Sequence, residues 1–273
     1  MISRDNSVFE QSSFLTDADF FFKTDHSRFR KFLKKIQPDI TLNVTSTRNY
    51  HRIAKTIEGR QDLKILIIGG SVDGVGINIL KQSAAGSLFI ESDVSHGPNT
   101  NIIFDSHQIP FSDELFDLVI VQAVLEHVLD PQLCVHEIHR VLKDGATVYA
   151  ETPFMQQVHG GKYDFQRFSH LGHRRLFRFF TEINSGVVVG PASALAWASR
   201  YFVTSFAQNK KTDMILSYFI NFFVFWIKYF DLILIHRKGS IDAASGYFFW
   251  GKKKKGYVLP DKELLESYRG FRF

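Results

Sequence analysis

A single cysteine in 273 residues excludes a disulfide framework and any multi-thiolate zinc or iron–sulfur centre, and it suits a reducing compartment. Charge excess is modest too. Lys and Arg number 33 against 28 Asp and Glu, a formal net charge of +5. Residues 210–273 hold 12 basic and 6 acidic side chains, or +6, which leaves the first 209 residues at 21 − 22 = −1. Basicity confined to the C-terminal quarter argues against nucleic-acid binding, which needs a basic surface on the main body. The chain also lacks an uninterrupted apolar run of spanning length. Residues 214–235 come nearest, but Asn221, Lys228 and Asp231 interrupt them, and a charge near the bilayer centre costs roughly 2.5–3.5 kcal/mol. A buried or membrane-surface helix is expected there. The polar opening, residues 1–10, has no apolar signal core, so the expected location is cytoplasmic, with a peripheral place at the inner face of the membrane as its variant.

What is present is a globular composition, 45% hydrophobic and 22% charged, with no internal repeat. Phe29, Phe32, Leu33 and Ile36 recur at helical spacing opposite Arg28, Arg30, Lys31, Lys34 and Lys35, and Pro38 ends that helix. From Lys64 short apolar runs take over, at 64–68, 87–90, 101–104, 118–121 and 147–150. Helical patterns separate them, such as 131–142, where Cys134, Ile138, Val141 and Leu142 share a face. That alternation reads as βαβ units around a parallel sheet. Residues 186–189 and 246–250 read as strands six and seven, with a long helical insertion from about Ala192 to Ile235 between them.

Directly after the first strand runs Gly69-Gly70-Ser71-Val72-Asp73-Gly74-Val75-Gly76. Such a turn puts backbone N–H groups beside a ligand at the strand's C-terminal edge. It is not the dinucleotide pattern G-x-G-x-x-G, because Ser71 takes the place of the second glycine, and no Gly-Lys-Ser/Thr follows to make a P-loop. The second strand ends in Asp93, placed to accept both ribose hydroxyls of a nucleoside, and the third ends in Asp105. Together these describe a nucleoside site without a phosphate cradle.

Further along come Ile109-Pro110-Phe111, Phe116-Asp117-Leu118-Val119, Leu125-Glu126-His127-Val128, Asp130-Pro131 and Glu137-Ile138-His139-Arg140-Val141-Leu142-Lys143-Asp144-Gly145. This ordered series resembles the class I S-adenosylmethionine-dependent methyltransferases of the type 11-like branch. With its flanking strands the resemblance covers about residues 64–190. A looser one, Thr152-Pro153-Phe154 through Tyr163-Asp164-Phe165-Gln166-Arg167-Phe168, is to a bacterial subgroup associated with surface polysaccharide. The resemblance implies a Rossmann-like α/β fold: a seven-stranded, mostly parallel sheet with helices on both faces, N-terminal helices and a helical insertion before the last strand. The expected divisions are 1–60 (helical extension), 61–190 (cofactor-binding core), 191–240 (insertion) and 241–273 (last strand and basic tail).

The resemblance further implies S-adenosylmethionine as cofactor. Gly69, Gly70, Ser71 and Gly74 would line its methionine part, Asp93 would bind the ribose, Asp105 with Ser106 would meet the adenine edge, and Gln122 with Leu125 would flank the sulfonium and adenine. Two positions depart from the family pattern. Ile67 stands where an acid is usual, and Ser71 where a third glycine is. The loop after the fifth strand opens over the same crevice and supplies the acceptor side. His159, beside Gly160-Gly161, is the candidate base, since imidazole titrates near neutral pH. Asp164 is placed to orient it, and Tyr163 and Arg167 are the candidate substrate contacts.

No metal is expected. His136 and His139 sit three apart without H-E-x-x-H spacing, and His170 and His173 merely border a glycine. A Ser–His–Asp triad lacks its Gly-x-Ser-x-Gly elbow. The aromatic insertion and the run Lys252–Lys255 suit an anionic membrane surface, or else a cap over the site with a solvated basic turn. The function expected is methyl transfer to an oxygen of a glycan, glycolipid or other small hydroxyl-bearing acceptor in cell-surface polysaccharide synthesis. The alternatives are an isoprenoid quinone or other lipid acceptor, and a non-catalytic partner in a membrane-surface complex. A nicotinamide dehydrogenase ranks below these.

Overall fold

A computed structural model describes residues 37–71, 74 and 76–271; the basic helix expected around Phe29–Ile36 lies outside them. Seven strands form one sheet: β1 (Lys64–Ile68), β2 (Leu88–Asp93), β3 (Ile102–Ile103), β4 (Phe116–Gln122), β5 (Leu142–Pro153), β6 (Phe180–Val189) and β7 (Gly246–Lys253). Their order is β3-β2-β1-β4-β5-β7-β6. β7 alone runs antiparallel to its neighbours; every other pairing is parallel. The expected Rossmann-like, mostly parallel seven-stranded sheet is what forms.

The central strands are continuously apolar because both faces are covered. On one face α1 (Val44–Ile57) buries Tyr50, Ile53, Ala54 and Ile57, and α2 (Ile77–Ser83) adds Ile77 and Leu80. On the other, α3 (Pro131–Val141) packs Cys134, Val135, Ile138 and Val141, joined by Phe177 just past α4 (His170–Leu176). α3 starts where its signals say: Asp130 caps it by accepting from Leu133 N at 3.0 Å, and Pro131 opens the first turn. Cys134 is a core residue whose thiol pKa burial pushes far up. β6 begins at Phe180, well before the apolar stretch that betrays it, because its first half (Thr181, Glu182, Asn184, Ser185) lies on a sheet edge with β7 as its only partner.

Between β6 and β7 stands a helical block: α5 (Pro191–Thr204), α6 (Lys210–Val224), a 3₁₀ turn (Ile227–Phe230), α7 (Asp231–Leu234) and α8 (Ser240–Ala243). Its polarity is inverted. α6 turns Ser217 and Asn221 inward, while Ile215, Phe219, Phe222, Phe223, Trp226, Phe230 and Ile233 lie exposed along one side. The three polar residues that interrupt the apolar run all face protein. Asn221 Nδ2 donates to Pro38 O (3.4 Å) and Lys228 Nζ to Asp39 O (2.6 Å). Asp231, 1% exposed, caps α5 by accepting from Ala192 N (2.8 Å), Ser193 N (2.9 Å) and Ser193 Oγ (2.7 Å). Asp231→Ala is therefore expected to cost about 3 kcal/mol, from buried donors left without an acceptor, read as a lowered midpoint in thermal melts followed by circular dichroism. Among the described residues no single helix is long and apolar enough to cross a membrane; only 210–224 with 227–234, bent by 41°, pass together.

Lys252–Lys255 belongs elsewhere. Lys252 and Lys253 are the end of β7, where Lys253 Nζ is buried and donates to Leu142 O at 2.7 Å. Because β7 is reversed, this run lies at the sheet edge opposite the one that carries the helical block. The sequence thus suggested one apolar-plus-basic surface where the fold makes two separate features. Exposed cations beside the aromatic face are instead Lys210, Lys211, Arg237 and Lys238.

Candidate functional site

The C-terminal ends of β1, β2, β4 and β5 meet at one crevice. After β1 the chain turns through Gly69 (φ +77°), and the N–H groups of Gly69 and Gly70 both donate to Ser92 O at 2.9 Å. A side chain at Gly69 would overlap Val124; one at Gly70 would press on Glu91 and Ile67 at 3.1 Å, and one at Gly74 on Gln122 Oε1 at 2.9 Å. At Gly69 glycine is thus required by space as well as by φ. Asp93 lies level with Gly69, one position past the Ile68–Ser92 pair, its carboxylate accepting from Ser95 N at 3.3 Å. Ser71 is buried against Gly97, and its carbonyl accepts from Asn99 N at 3.3 Å. Ile67 is core.

Asp105 is exposed and tied to His107: Oδ1 lies 2.5 Å from Nδ1 and accepts from the His107 N–H at 2.9 Å. His107 Nε2 accepts from Asp130 N at 3.0 Å, so the ring proton sits on Nδ1. Partial burial pushes the Asp105 pKa up, but the hydrogen bonds to His107 outweigh it and the net shift is downward. Ser106 is buried beside it. Leu125 does not face the crevice. It is 1% exposed and packs in the core beneath α3, because the turn after β4 sends its apolar side chain inward.

Gln122 does face it, and heads a buried polar relay of which no motif in the chain gives a sign. Gln122 Oε1 accepts from Tyr50 OH (3.2 Å) and Nε2 donates to Glu151 Oε2 (2.8 Å). Glu151 Oε1 accepts from Tyr149 OH (2.6 Å), which in turn accepts from Asn49 Nδ2 (3.1 Å). Burial raises the Glu151 pKa against the pull of these hydrogen bonds. The relay pins α1 across the glycine turn, where Gly76 (φ +88°) lies against the Tyr50 ring.

Beside the relay is a cavity of about 220 Å³ lined by Thr41, Asn43, Gln122, Glu126, Glu151 and His159. A larger hollow of about 470 Å³, between α3 and α4, holds none of the expected site residues. His159 stands at the cavity wall with 27% of its side chain exposed. Asp164 does not orient the imidazole through a short bond, since Nδ1 is 3.5 Å from Oδ2. It holds the backbone instead, accepting from His159 N (2.7 Å) and Gly160 N (3.4 Å), and Arg167 brackets its carboxylate. Burial would raise the Asp164 pKa, but Arg167 and the two N–H groups hold it far below the usual carboxylate range. Arg167 also donates to the carbonyls of Gln156, Gln157 and Gln166. Its five N–H donors are therefore engaged within the loop, and the expected substrate contact has no donor left. Tyr163 offers its carbonyl to His127 Nδ1 (2.8 Å), and Lys162 lies over its ring.

The side chain missed by inspection of the sequence is Glu126. It is fully buried, neither carboxylate oxygen accepts a hydrogen bond, and both His127 Nε2 and His159 Nε2 lie 3.8 Å from its Oε1. That carboxylate raises the His159 pKa against desolvation. The motif Leu125-Glu126-His127 was visible, but nothing in it told which way Glu126 points. The other histidine pairs are structural: His136 packs on Phe179, and His170 and His173 are buried near Tyr247 and Phe249.

A glycine turn on the first strand, an acid on the second and a sheet of this order with one reversed strand define the class I methyltransferase fold. Residues 76–150 match the family model described as a methyltransferase domain. That match begins at Gly76, the last residue of the glycine turn. No curated protein matches the sequence. Phosphoethanolamine N-methyltransferase 2 of Haemonchus contortus, solved with S-adenosylhomocysteine and phosphomonomethylethanolamine, is similar at 15% identity and TM-score 0.51, over 87% of this chain and 60% of that one. Its S-adenosylmethionine complex gives 16% and 0.50 over 89% and 60%. A protein described as a sarcosine dimethylglycine methyltransferase from Galdieria sulphuraria gives 12% and 0.49 over 83% and 97%. Residues 76–150 thus match a methyltransferase domain, and the sheet around them has the fold of a methyltransferase solved with S-adenosylmethionine.

Proposed function

We propose that the protein O-methylates a hydroxyl of a lipid-borne glycan at a membrane surface. The observation that carries this reading is the exposed aromatic face beside the acceptor cavity. α5 joins the two: Tyr201 OH donates to Val158 O at 2.6 Å, next to His159, and Trp197 Nε1 donates to Thr41 Oγ1 at 2.9 Å, on the cavity wall. A soluble substrate needs no such face, and apolar area of this size on a surface marks a contact.

On this reading Gly69, Gly70 and Gly74 cradle the methionine part of the cofactor, Asp93 takes the ribose hydroxyls, Asp105 and Ser106 edge the adenine, and Gln122 separates cofactor from acceptor. Bound there, S-adenosylmethionine supplies a methyl group already activated on a sulfonium. What remains for the chain is alignment, exclusion of water and removal of the acceptor's proton. His159 Nε2 takes that proton, the Glu126 carboxylate 3.8 Å away stabilises the resulting imidazolium, and Asp164 with Arg167 keeps the loop in place.

The test is product analysis. Purified protein is given methyl-labelled S-adenosylmethionine with a membrane extract, and separately with soluble sugars and amines. Label is expected in the organic phase on a species that mild acid splits into a methylated sugar. Label on a quinone ring would replace the glycan by the lipid alternative, and label only on soluble amines would overturn the reading.

A further inference from the structure

We propose that Glu126, His127 and His159 form a site for a divalent transition-metal ion on the acceptor side of the crevice, and that this ion chelates a sugar diol. The acceptor part of the proposal rests on the methyltransferase reading; the metal site stands on its own geometry. A carboxylate buried to 0% exposure with neither oxygen hydrogen-bonded is costly unless a charge joins it. Here two imidazoles face it from different segments, the turn after β4 and the loop after β5, and one donor atom from each of the three residues lies within 4.8 Å of the others.

The rings are set as metal-binding imidazoles are. His127 Nδ1 lies 2.8 Å from the Tyr163 carbonyl and His159 Nδ1 3.3 Å from that of Gln157. The Tyr163 carbonyl thereby places the His127 proton on Nδ1, the outer-shell arrangement that fixes the tautomer of a ligating histidine; His159 Nδ1 also faces the Arg167 guanidinium at 3.5 Å, and each Nε2 is turned toward Glu126. Gly160 makes the approach possible, since a Cβ there would lie 2.5 Å from His127 Cε1, and the two rings meet edge to face with centroids 5.0 Å apart. Ligand atoms about 2.0–2.2 Å from an ion sit roughly 3–3.5 Å apart, so the 3.8 Å from each imidazole to Glu126 Oε1 and the imidazole–imidazole separation, within 4.8 Å, must contract as the ion binds. Arg167 and Asp164 hold the His159 segment rigid meanwhile.

Two nitrogens and one carboxylate oxygen suit Mn²⁺, Fe²⁺, Co²⁺ or Zn²⁺ and leave coordination positions open. The cavity holds those positions, and two neighbouring sugar hydroxyls are a fitting chelate. The ion lowers the pKa of the hydroxyl it holds, whose proton passes to solvent. The oxygen's electron pair then forms the new C–O bond to the methyl carbon while the C–S bond breaks and its pair stays on sulfur. With the ion in place it takes over the deprotonating role of the free His159 imidazole.

Full-length protein stripped with a chelator is titrated by calorimetry with Mn²⁺, Co²⁺ and Zn²⁺ in the absence of cofactor, and the metal content of untreated protein is measured by mass spectrometry. One equivalent per chain is expected, with affinity falling at least about 100-fold in Glu126→Gln and in His127→Ala. The Glu126→Gln change keeps shape and removes only buried charge, so its melting temperature should not drop. Absence of binding at millimolar ion, or equal binding by wild type and both variants, overturns the site. S-adenosylmethionine binding, titrated on the same samples, is expected to persist in Glu126→Gln. Its absence from wild type would sink the methyltransferase reading and leave the metal result legible.

Discussion

Asp93→Ala is expected to weaken S-adenosylmethionine binding by about 100- to 1,000-fold. Two hydrogen bonds from ribose hydroxyls to a charged acceptor contribute roughly 1.5–3 kcal/mol each, and every 1.4 kcal/mol is tenfold in affinity. The carboxylate is level with the Gly69 turn, and among the described residues it accepts one bond, from Ser95 N at 3.3 Å. Asp105→Ala is the contrast. That carboxylate is exposed and engaged with His107, and its loss should change affinity less than about tenfold. Calorimetric titration of the three proteins with S-adenosylmethionine and S-adenosylhomocysteine decides the matter, and an unchanged affinity in Asp93→Ala would remove the ribose from that position.

The second large effect is expected on vesicles. Phe219, Phe222 and Phe223 are 59%, 67% and 56% exposed. A Phe side chain taken out of water contributes on the order of 1.5–3 kcal/mol, so replacing all three by serine removes at most roughly 4.5–9 kcal/mol of interfacial affinity. Sedimentation with phosphatidylglycerol vesicles should fall from nearly complete to background, with circular dichroism unchanged because all three rings are more than half exposed. Added salt should weaken the wild-type contact through Lys210, Lys211, Arg237 and Lys238. Wild-type protein that stays in the supernatant would refute the contact.

The strands of the parallel core were legible because a strand buried on both faces must be apolar throughout, and the glycine turn because positive φ and close neighbours at Gly69 and Gly76 admit nothing larger. β6 was half hidden: an edge strand tolerates polar residues, so Thr181 to Ser185 carried no hydropathy signal. Leu125 was read toward the crevice when it turns into the core, for a motif records neighbours in sequence and not the direction of a side chain. The relay through Asn49, Tyr149 and Glu151 joins positions about a hundred residues apart, and Glu126 meets His159 only when the β5 loop folds back. Polarity patterns alone carry no such information. The helical block was read correctly as helical, yet Asn221, Lys228 and Asp231, taken as interruptions of an apolar segment, are the residues that attach it.

The reversal of β7 also bears on how such proteins diversify. β6 leaves the sheet at Val189 and β7 re-enters beside it at Gly246, where both pair at the same edge. Whatever is inserted there begins and ends at the wall of the cavity that Gln122, Glu126 and His159 also line, with no crossover to complete. Loop-closure entropy grows only by about 0.6 kcal/mol per doubling of length, so exchanging one insert for another disturbs the cofactor half little. A chimera bearing a polar insert between Val189 and Gly246 is therefore expected to keep the sheet and the glycine turn while losing the exposed aromatic face.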